Sequence, residues 1–520
     1  MSKAGLLNWL REKLRRRPVC CLSGIRHKGG VSLTEALLGN VRTCGPDAKG
    51  EIQVGSPHEG ESTDAGHRGG VARSSEEGPV MGLERRGHIV RFHLSGQPGK
   101  GRSCVSEAKS FAIERVLVWE AYERVRKNKG AAGVDGQSLK EYGERLEDNL
   151  YKLWNRMSSG SYFPPAVRVV EIPKSSGGKR ALGIPTVGDR IAQMVVKMVL
   201  EPLVEPHFHP DSYGYRPGKS ALGAVCVARE RCWERDWVVD IDIRGFFDNL
   251  DHELLLRAVT RHTEERWVLL YVDRWLKAPA ELPDGTVVPR EKGTPQGGVI
   301  SPLLSNIFLH YALDEWLRRY YPDVLFERYA DDVLIHCRSE AEAQETLSAI
   351  GKRLDECHLQ LNPQKSKIVY CKDQGRRGDW PNRSFDFLGY SFRPRKAKNR
   401  WGQFFIGFNP AVSDSAVKKI REKVRKWRLP SRVTLSIEEL AEALNPTLRG
   451  WVNYYARFRP SALSKALQTL NFALKKWAIR KYKRFRRSYR RAQHWLMRVR
   501  RQQPVLFAHW QTGSSSGTGR

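Results

Sequence analysis

A chain of 520 residues is long enough for roughly two to four domains with substantial cores. Its 89 Lys plus Arg against 57 Asp plus Glu leave a formal charge of +32. Such a charge repels itself unless a polyanion screens it, so nucleic acid leads as partner and an anionic membrane surface is the alternative. No window approaches the roughly 20 uninterrupted apolar residues of a spanning helix. The nine cysteines are scattered without a C-x-x-C pair, which argues against a disulfide framework or zinc cluster and fits a reducing cytoplasm.

Residues 1–105 differ from the rest. From Arg26 to Arg102 the chain is rich in Gly, His, Ser and charges, with few aromatics and no sustained period, the composition of a disordered extension. Leu6–Arg17 is Arg-rich, like a transit peptide or amphipathic anchor, but lacks the apolar run and cleavage site of a secretory signal. Order is predicted from Phe111 onward. Ile113–Asn128 has helical spacing and Asn128–Gly136 is a Gly-rich turn. Ala166–Pro173 alternates and leads through a basic turn, with Lys174, Lys179 and Arg180, into a second strand ending at Pro185. Arg190–Val204 carries Ile191, Met194, Val195, Met198 and Val199 on one helical face. Trp237–Ile243 reads as a strand, Asp251–Thr260 as a helix capped by Asp251, and Leu303–Leu317 as a helix. A hairpin over residues 325–336 and a helix over Glu340–His358 follow. After Pro410 the pattern is helical and basic to the end, so the prediction is a mixed α/β body with an all-α basic tail.

The chemistry concentrates in a few stretches. Tyr329-Ala330-Asp331-Asp332 sits between two apolar runs, a hairpin with its acids at the tip. Adjacent carboxylates repel, and burying them costs free energy unless a cation neutralises them. Their hard oxygens suit Mg²⁺, which binds few carboxylates and completes its shell with water and phosphate. An isolated pair would describe a solvated turn equally well. A second acidic stretch bears on the choice: on a strand, Asp240 and Asp242 share the face opposite Val239, Ile241 and Ile243, a spacing that suits a buried strand serving a metal and equally an edge strand with a wet face. Together the four acids offer what a two-metal phosphoryl-transfer site requires. Between the two stretches lies Gly293-Thr-Pro295-Gln296-Gly297-Gly298-Val-Ile-Ser301-Pro302, whose glycines admit close backbone approach to a ligand.

These motifs, in this order over roughly residues 110–510, resemble a group II intron reverse transcriptase with maturase activity. The resemblance implies a right-hand polymerase of α+β class. Residues 106–395 would form fingers and palm with an antiparallel palm sheet, 405–480 the all-α thumb or maturase domain, and 481–520 a basic nucleic-acid-binding segment. It implies Asp242, Asp331 and Asp332 as catalytic acids. They and Ile243 would hold two Mg²⁺ ions, with Mn²⁺ a possible substitute. Lys174, Lys179, Arg180, Phe247, Gln296 and Lys365 would contact the nucleotide, with Phe247 the ring that excludes a sugar 2′-hydroxyl and Phe246 the alternative packer. Pro295, Gly297, Gly298 and Tyr329, together with Leu388 and Gly389 of Phe387-Leu-Gly-Tyr390, would contact template and primer.

The Ser212–Ser220 block resembles a further family block, in which Arg216 would contact phosphate or brace the fold. Leu444-Asn-Pro-Thr-Leu-Arg449-Gly-Trp451-Val-Asn-Tyr-Tyr455 resembles the maturase signature; Arg449 is expected to contact RNA, while Trp451 and Tyr455 suit a core equally well. Lys475–Arg501 is densely basic with Trp477, Tyr482, Phe485, Tyr489 and Trp495 interleaved, and is expected to lie on intron RNA or target DNA through residues including Lys481, Lys483, Arg484 and Arg487. The partners implied are intron RNA, target DNA and dNTPs, in a bacterial cytoplasm or on its nucleoid, with no membrane. No His-Asn-His motif or late Cys pair follows the basic segment, so second-strand nicking is not expected. The rival functions are a splicing-only RNA-binding maturase and a host-adopted enzyme of DNA repair or defence.

Overall fold

The computed structural model describes residues 109–173, 178–399, 401–486 and 488–513. The expected extension over residues 1–105, Lys174 and Arg487 lie outside the described residues. Among the described residues there are eleven strands: β1 Val167–Pro173, β2 Lys179–Ile184, β3 Trp237–Ile241, β4 Ala280–Glu281, β5 Val287–Val288, β6 Leu325–Tyr329, β7 Asp332–Cys337, β8 Lys367–Tyr370, β9 Phe385–Phe387, β10 Tyr390–Lys398 and β11 Phe404–Val412. They form three sheets, in the orders β2-β1-β4-β5, β6-β7-β3-β8 and β11-β10-β9.

The second sheet places the acids. Its strands pair antiparallel, β3 lying between β7 and β8. One face packs Val239, Ile241, Val333 and Ile335 into an apolar core shared with the helix Val187–Val204, while Val238, Leu334 and Val369 point to a second cluster with the helix Ala221–Glu234. A sheet buried on both faces leaves its strand ends as the place where charge can emerge. β3 stops at Ile241, shorter than the strand expected to Ile243, because the chain there leaves the ladder and Ile243 bridges to Leu361 instead.

The expected helix over Leu303–Leu317 is three pieces: Ser301–Leu309, a π-helical turn His310–Asp314, and Glu315–Tyr320. A π turn inserts an extra residue per turn and swings the side chains after it. The helices expected over 113–128, 190–204, 251–260 and 340–358 are Arg115–Asn128, Val187–Val204, His252–Val259 and Glu340–Glu356, while Leu146–Ser158, Ala221–Glu234 and Arg266–Leu276 were not expected; Asp251 caps His252–Val259 by accepting from the Leu254 N–H.

The C-terminal helices share one core running from Val412 to Trp510. Within it, Lys475–Arg501 comprises the end of Pro460–Lys481, a short 3₁₀ turn, and Tyr489–Gln502. Trp477 is fully buried and donates to the Arg432 carbonyl, and Tyr482, Phe485 and Trp495 pack around it. These aromatics form the inward stripe of amphipathic helices: Trp477 and Phe485 are buried, Tyr482 and Trp495 half-buried, and Tyr489 is exposed under the Lys475 ammonium. Trp451 likewise packs on Trp427. No described helix is long and apolar enough to cross a membrane.

Buried His509 shares the Asn471 side-chain oxygen with Trp510, and burial, then Arg500, holds its pKa down at about 3. A depressed histidine stabilises the fold fully above its unfolded pKa, near 6.5, and the contribution fades as pH falls toward 3. Between pH 6.5 and 4.5 the native protein should therefore lose about 2 to 3 kcal/mol more than His509→Gln, at about 1.4 kcal/mol per pH unit. Denaturant melts at the two pH values check this; parallel losses would contradict it.

Candidate polymerase active site

β6 and β7 meet in a two-residue turn at Ala330-Asp331, with Tyr329 opposite Asp332. Ala330 has φ 57°, where a hairpin of this length ordinarily takes Gly, at a cost of about 1 to 2 kcal/mol. Across the sheet Ile241 faces Val333, so one residue further along the same register Asp242 comes out beside Asp332. The two acidic stretches, 90 positions apart in the chain, thus meet at one end of the sheet.

Their electrostatics agree. Burial raises the Asp331 carboxyl, with Asp242 adding to the rise and Arg180 and Lys365 opposing it. Asp332 is pushed up to about 6, first by the protein atoms crowded around it, then by Asp331 and Asp242, although its side chain keeps an open face. Asp240 reaches about 7 through burial, moderated by Lys367 at 3.8 Å. A group of acids holding one another's protons is one that a cation relieves.

The block after the hairpin wraps Asp242. Asn362 Nδ2 donates to its Oδ2 at 3.0 Å, the Asn362 N–H to its carbonyl at 2.8 Å, and Ser366 Oγ accepts from its N–H at 3.1 Å. Lys365 Nζ stands 3.3 Å from both carboxylate oxygens. Lys365 was expected at the nucleotide; Asn362 and Ser366 were not anticipated, because their partner lies some 120 positions away and leaves no local pattern. Ile243 is buried in the core.

Residues 293–302 are fastened to the segment after β3 and to β2. The Gly293 N–H donates to the Leu250 carbonyl and Thr294 N–H to that of Phe247, each at 2.7 Å. A Cβ on Gly293 (φ 80°) would stand 2.7 Å from the Phe247 and Asp248 carbonyls, so only glycine fits. The Gly183 N–H donates to the Gln296 carbonyl, seating the loop on β2, and Gln193 accepts from the N–H groups of Val299 and Ile300. Pro295 and Gly298 are buried, Gly297 is exposed, and Gln296 is half-buried. Phe246 fills the core while Phe247 is half-buried, edge-on to it at 5.2 Å. Of the basic hairpin, Lys179 pairs with Glu171 at 2.5 Å in the open, and Arg180 is exposed within electrostatic reach of both acids of the turn. Arg216 braces the fold: it forks onto Glu205 and donates to the His209 and Ser212 carbonyls.

Leu388 (φ 49°) and Gly389 (φ 79°) make the turn between β9 and β10. The end of the helix Ile437–Tyr455 holds it: Tyr454 Oη donates to the Leu388 carbonyl at 2.8 Å, and Tyr455 lies against Gly389. Arg449, Lys483 and Arg484 are exposed. Lys481 is not: its ammonium donates to the Val433, Thr434 and Leu435 carbonyls.

The donor set suits a hard divalent cation, being carboxylate oxygen throughout. Among the described residues no three His, Cys, Asp or Glu side chains make a complete cage. The fit is therefore to an ion like Mg²⁺, which takes one or two carboxylates and finishes its shell on water and substrate phosphate.

Comparison with known proteins agrees with this geometry. Residues 172–392 match the family described as reverse transcriptase (RNA-dependent DNA polymerase), and residues 417–503 the group II intron maturase-specific domain. Protein YkfC of Escherichia coli is 33% identical over 327 residues, covering 55% of this chain and 82% of that protein. The group II intron-encoded protein LtrA of Lactococcus lactis is 34% identical over 197 residues, 37% of this chain but only 32% of LtrA. A putative COX1/OXI3 intron 1 protein of Saccharomyces cerevisiae is 29% identical over 200 residues, 38% of this chain and 24% of that protein. With an acid-tipped palm hairpin, a matching polymerase region and a maturase region following it, the chain belongs to the group II intron reverse transcriptase/maturase family of RNA-directed DNA polymerases.

Proposed function

We propose that this chain copies intron RNA into DNA at the Asp242–Asp331–Asp332 site and, through its C-terminal helices, binds that same RNA to promote its splicing and insertion. The observation that carries the first half is the β3–β7 register, which brings Asp242 beside the Asp331-Asp332 turn at one end of the sheet.

The family's dependence on divalent metal is read here as two Mg²⁺ ions held by Asp242, Asp331 and Asp332, with the Ile243 backbone alongside. Bound there, they would supply charge neutralisation for the primer 3′-hydroxyl and the triphosphate. The chain's own residues do the rest. Asn362 and Ser366 fix Asp242 so that its carboxylate is presented in one orientation. Arg180 and Lys179, on the exposed hairpin, approach the triphosphate oxygens, the fork-shaped guanidinium giving the more directional contact. Phe247 crowds the sugar 2′ position. Gln296, Pro295, Gly297 and Gly298 present backbone and amide to the template base, with Tyr329 beside them. The Leu388-Gly389 turn offers backbone to the primer end. Lys365, drawn onto Asp242, is placed to follow the leaving pyrophosphate and give it a proton.

For the RNA, Arg449, Lys483 and Arg484 are the exposed cations proposed as phosphate contacts. Arg484 joins Arg490, Arg491, His494 and Arg498 around a cavity of about 700 Å³. Lys481 is left out, because its charge is committed to backbone carbonyls. The test is splicing of the group II intron RNA that flanks the gene, at magnesium too low for self-splicing. Splicing should require the protein, and Arg449→Ala with Arg484→Ala should weaken RNA binding and lower the salt slope by about 1 per lost phosphate contact. Splicing indifferent to the protein would remove the maturase half. The intact acids argue against a splicing-only reading.

A further inference from the structure

Arg328 precedes the catalytic turn by two residues and is fully buried, as is its partner Asp314. Its Nε and Nη2 fork onto the two Asp314 oxygens at 2.7 and 2.5 Å. Its remaining nitrogen, Nη1, donates to the Asn306 side-chain oxygen at 2.9 Å and to the Ala330 carbonyl at 3.1 Å. That last oxygen matters, because it lies in the same rigid peptide plane as the Asp331 N–H. Anchoring it fixes the plane from which the Asp331 carboxylate is projected, at the one turn residue whose φ is unfavourable for a side chain.

The anchor is itself held from three sides. Asp314 ends the π-helical turn, and Asn306 sits on the helix before that turn. Asn306 also donates to the Gly214 carbonyl at 2.7 Å. Gly214 lies flat on the turn: a Cβ there would come within 2.4 Å of the Ala330 nitrogen. The backbone on either side is stitched to β6, Arg328 N–H to the Asp211 carbonyl and Tyr213 N–H to the Arg328 carbonyl. A buried ion pair stabilises a fold little better than well-packed apolar residues would, so what this pair contributes is orientation.

We propose that Arg328 is a positioning residue for nucleotidyl transfer: held by Asp314 and Asn306, it sets the Ala330–Asp331 peptide and thereby the angle at which the turn's carboxylates meet metal and nucleotide. This rests on the reading of Asp331 and Asp332 as catalytic acids. It also gives the Ser212–Ser220 block a purpose, with Gly214 as a flat stop behind the turn.

Arg328→Lys keeps the charge for Asp314 but cannot reach Asp314, Asn306 and Ala330 together. On RNA-templated primer extension it should lower kcat about 10- to 100-fold, the scale of a small misplacement, with the dNTP KM little changed. The Mg²⁺ concentration for half-maximal rate should rise several-fold, a shift that a loosened fold alone would not produce. Circular dichroism confirms folding. Should the lysine variant not fold, Asn306→Ala, which leaves the ion pair intact, is read the same way. A folded variant with native kcat and native Mg²⁺ dependence overturns the positioning role. An active Asp331→Ala control would instead overturn the catalytic reading beneath it, so the two failures are distinguishable.

Discussion

Replacing Asp331 by Ala should reduce RNA-templated DNA synthesis by about 10³-fold or more, while binding of intron RNA stays at the native level. The size follows from removing a preorganised charge at the reacting centre, where single groups contribute factors of this order. Among the described residues no hydrogen bond or ion pair joins another side chain to the Asp331 carboxylate, which sits at the turn, raised by burial and by Asp242. Its removal also relieves Asp332, whose carboxyl should fall from about 6 toward the ordinary carboxylate range. Asp240→Asn makes the contrast. Asp240 faces Lys367 and Leu334 in the ladder rather than the sheet end, so a loss of only about 10-fold is expected, as for groups that act through a neighbour. Parallel primer-extension and filter-binding titrations separate the effects.

The second large effect concerns sugar selection. Phe247→Ala should raise the use of ribonucleotides relative to deoxyribonucleotides by on the order of 10²-fold, since a whole ring is withdrawn from the proposed 2′ wall. Phe246 carries the core contact and Phe247 is only half-buried, so the substitution should cost stability modestly, about 1 to 3 kcal/mol. The carbonyl of residue 247 still accepts from Thr294, which keeps the Gly-rich loop in place. Single-nucleotide incorporation with matched rNTP and dNTP reads the ratio directly. Unchanged selectivity would return Phe247 to simple packing.

How far the sequence anticipated this molecule depends on the range of the interactions involved. The acid-tipped hairpin was legible because a two-residue turn between alternating strands is a local signal, and the helix Val187–Val204 because its apolar face repeats every turn. The face-sharing of Asp240 and Asp242 was also local, yet the strand ends at Ile241, since the bridge that draws Ile243 away is to Leu361, more than a hundred residues on. Asn362, Ser366, Asn306 and Asp314 were silent for the same reason: each serves a partner that adjacency does not reveal. The π turn at His310–Asp314 has no composition signal, and it is what brings Asp314 to Arg328. The long strands β10 and β11 leave little local signal, since a Pro ordinarily breaks a strand, yet Pro410 lies within β11 opposite Phe392. In the tail, Arg and aromatic residues interleave in a way that fits a nucleic-acid platform and an amphipathic helix alike; burial of Trp477 assigns that ring to the core, while Tyr489 stays exposed.

The three acids and the C-terminal helices are proposed to serve one RNA-directed polymerase. The most direct measurement is extension of a DNA primer on an RNA template by the purified full chain, with and without Mg²⁺, beside Asp331→Ala. The native protein should add the complementary dNTP in a Mg²⁺-dependent way, and the variant almost none. Equal extension by both proteins, or none by a native protein that binds the primer–template, would contradict it.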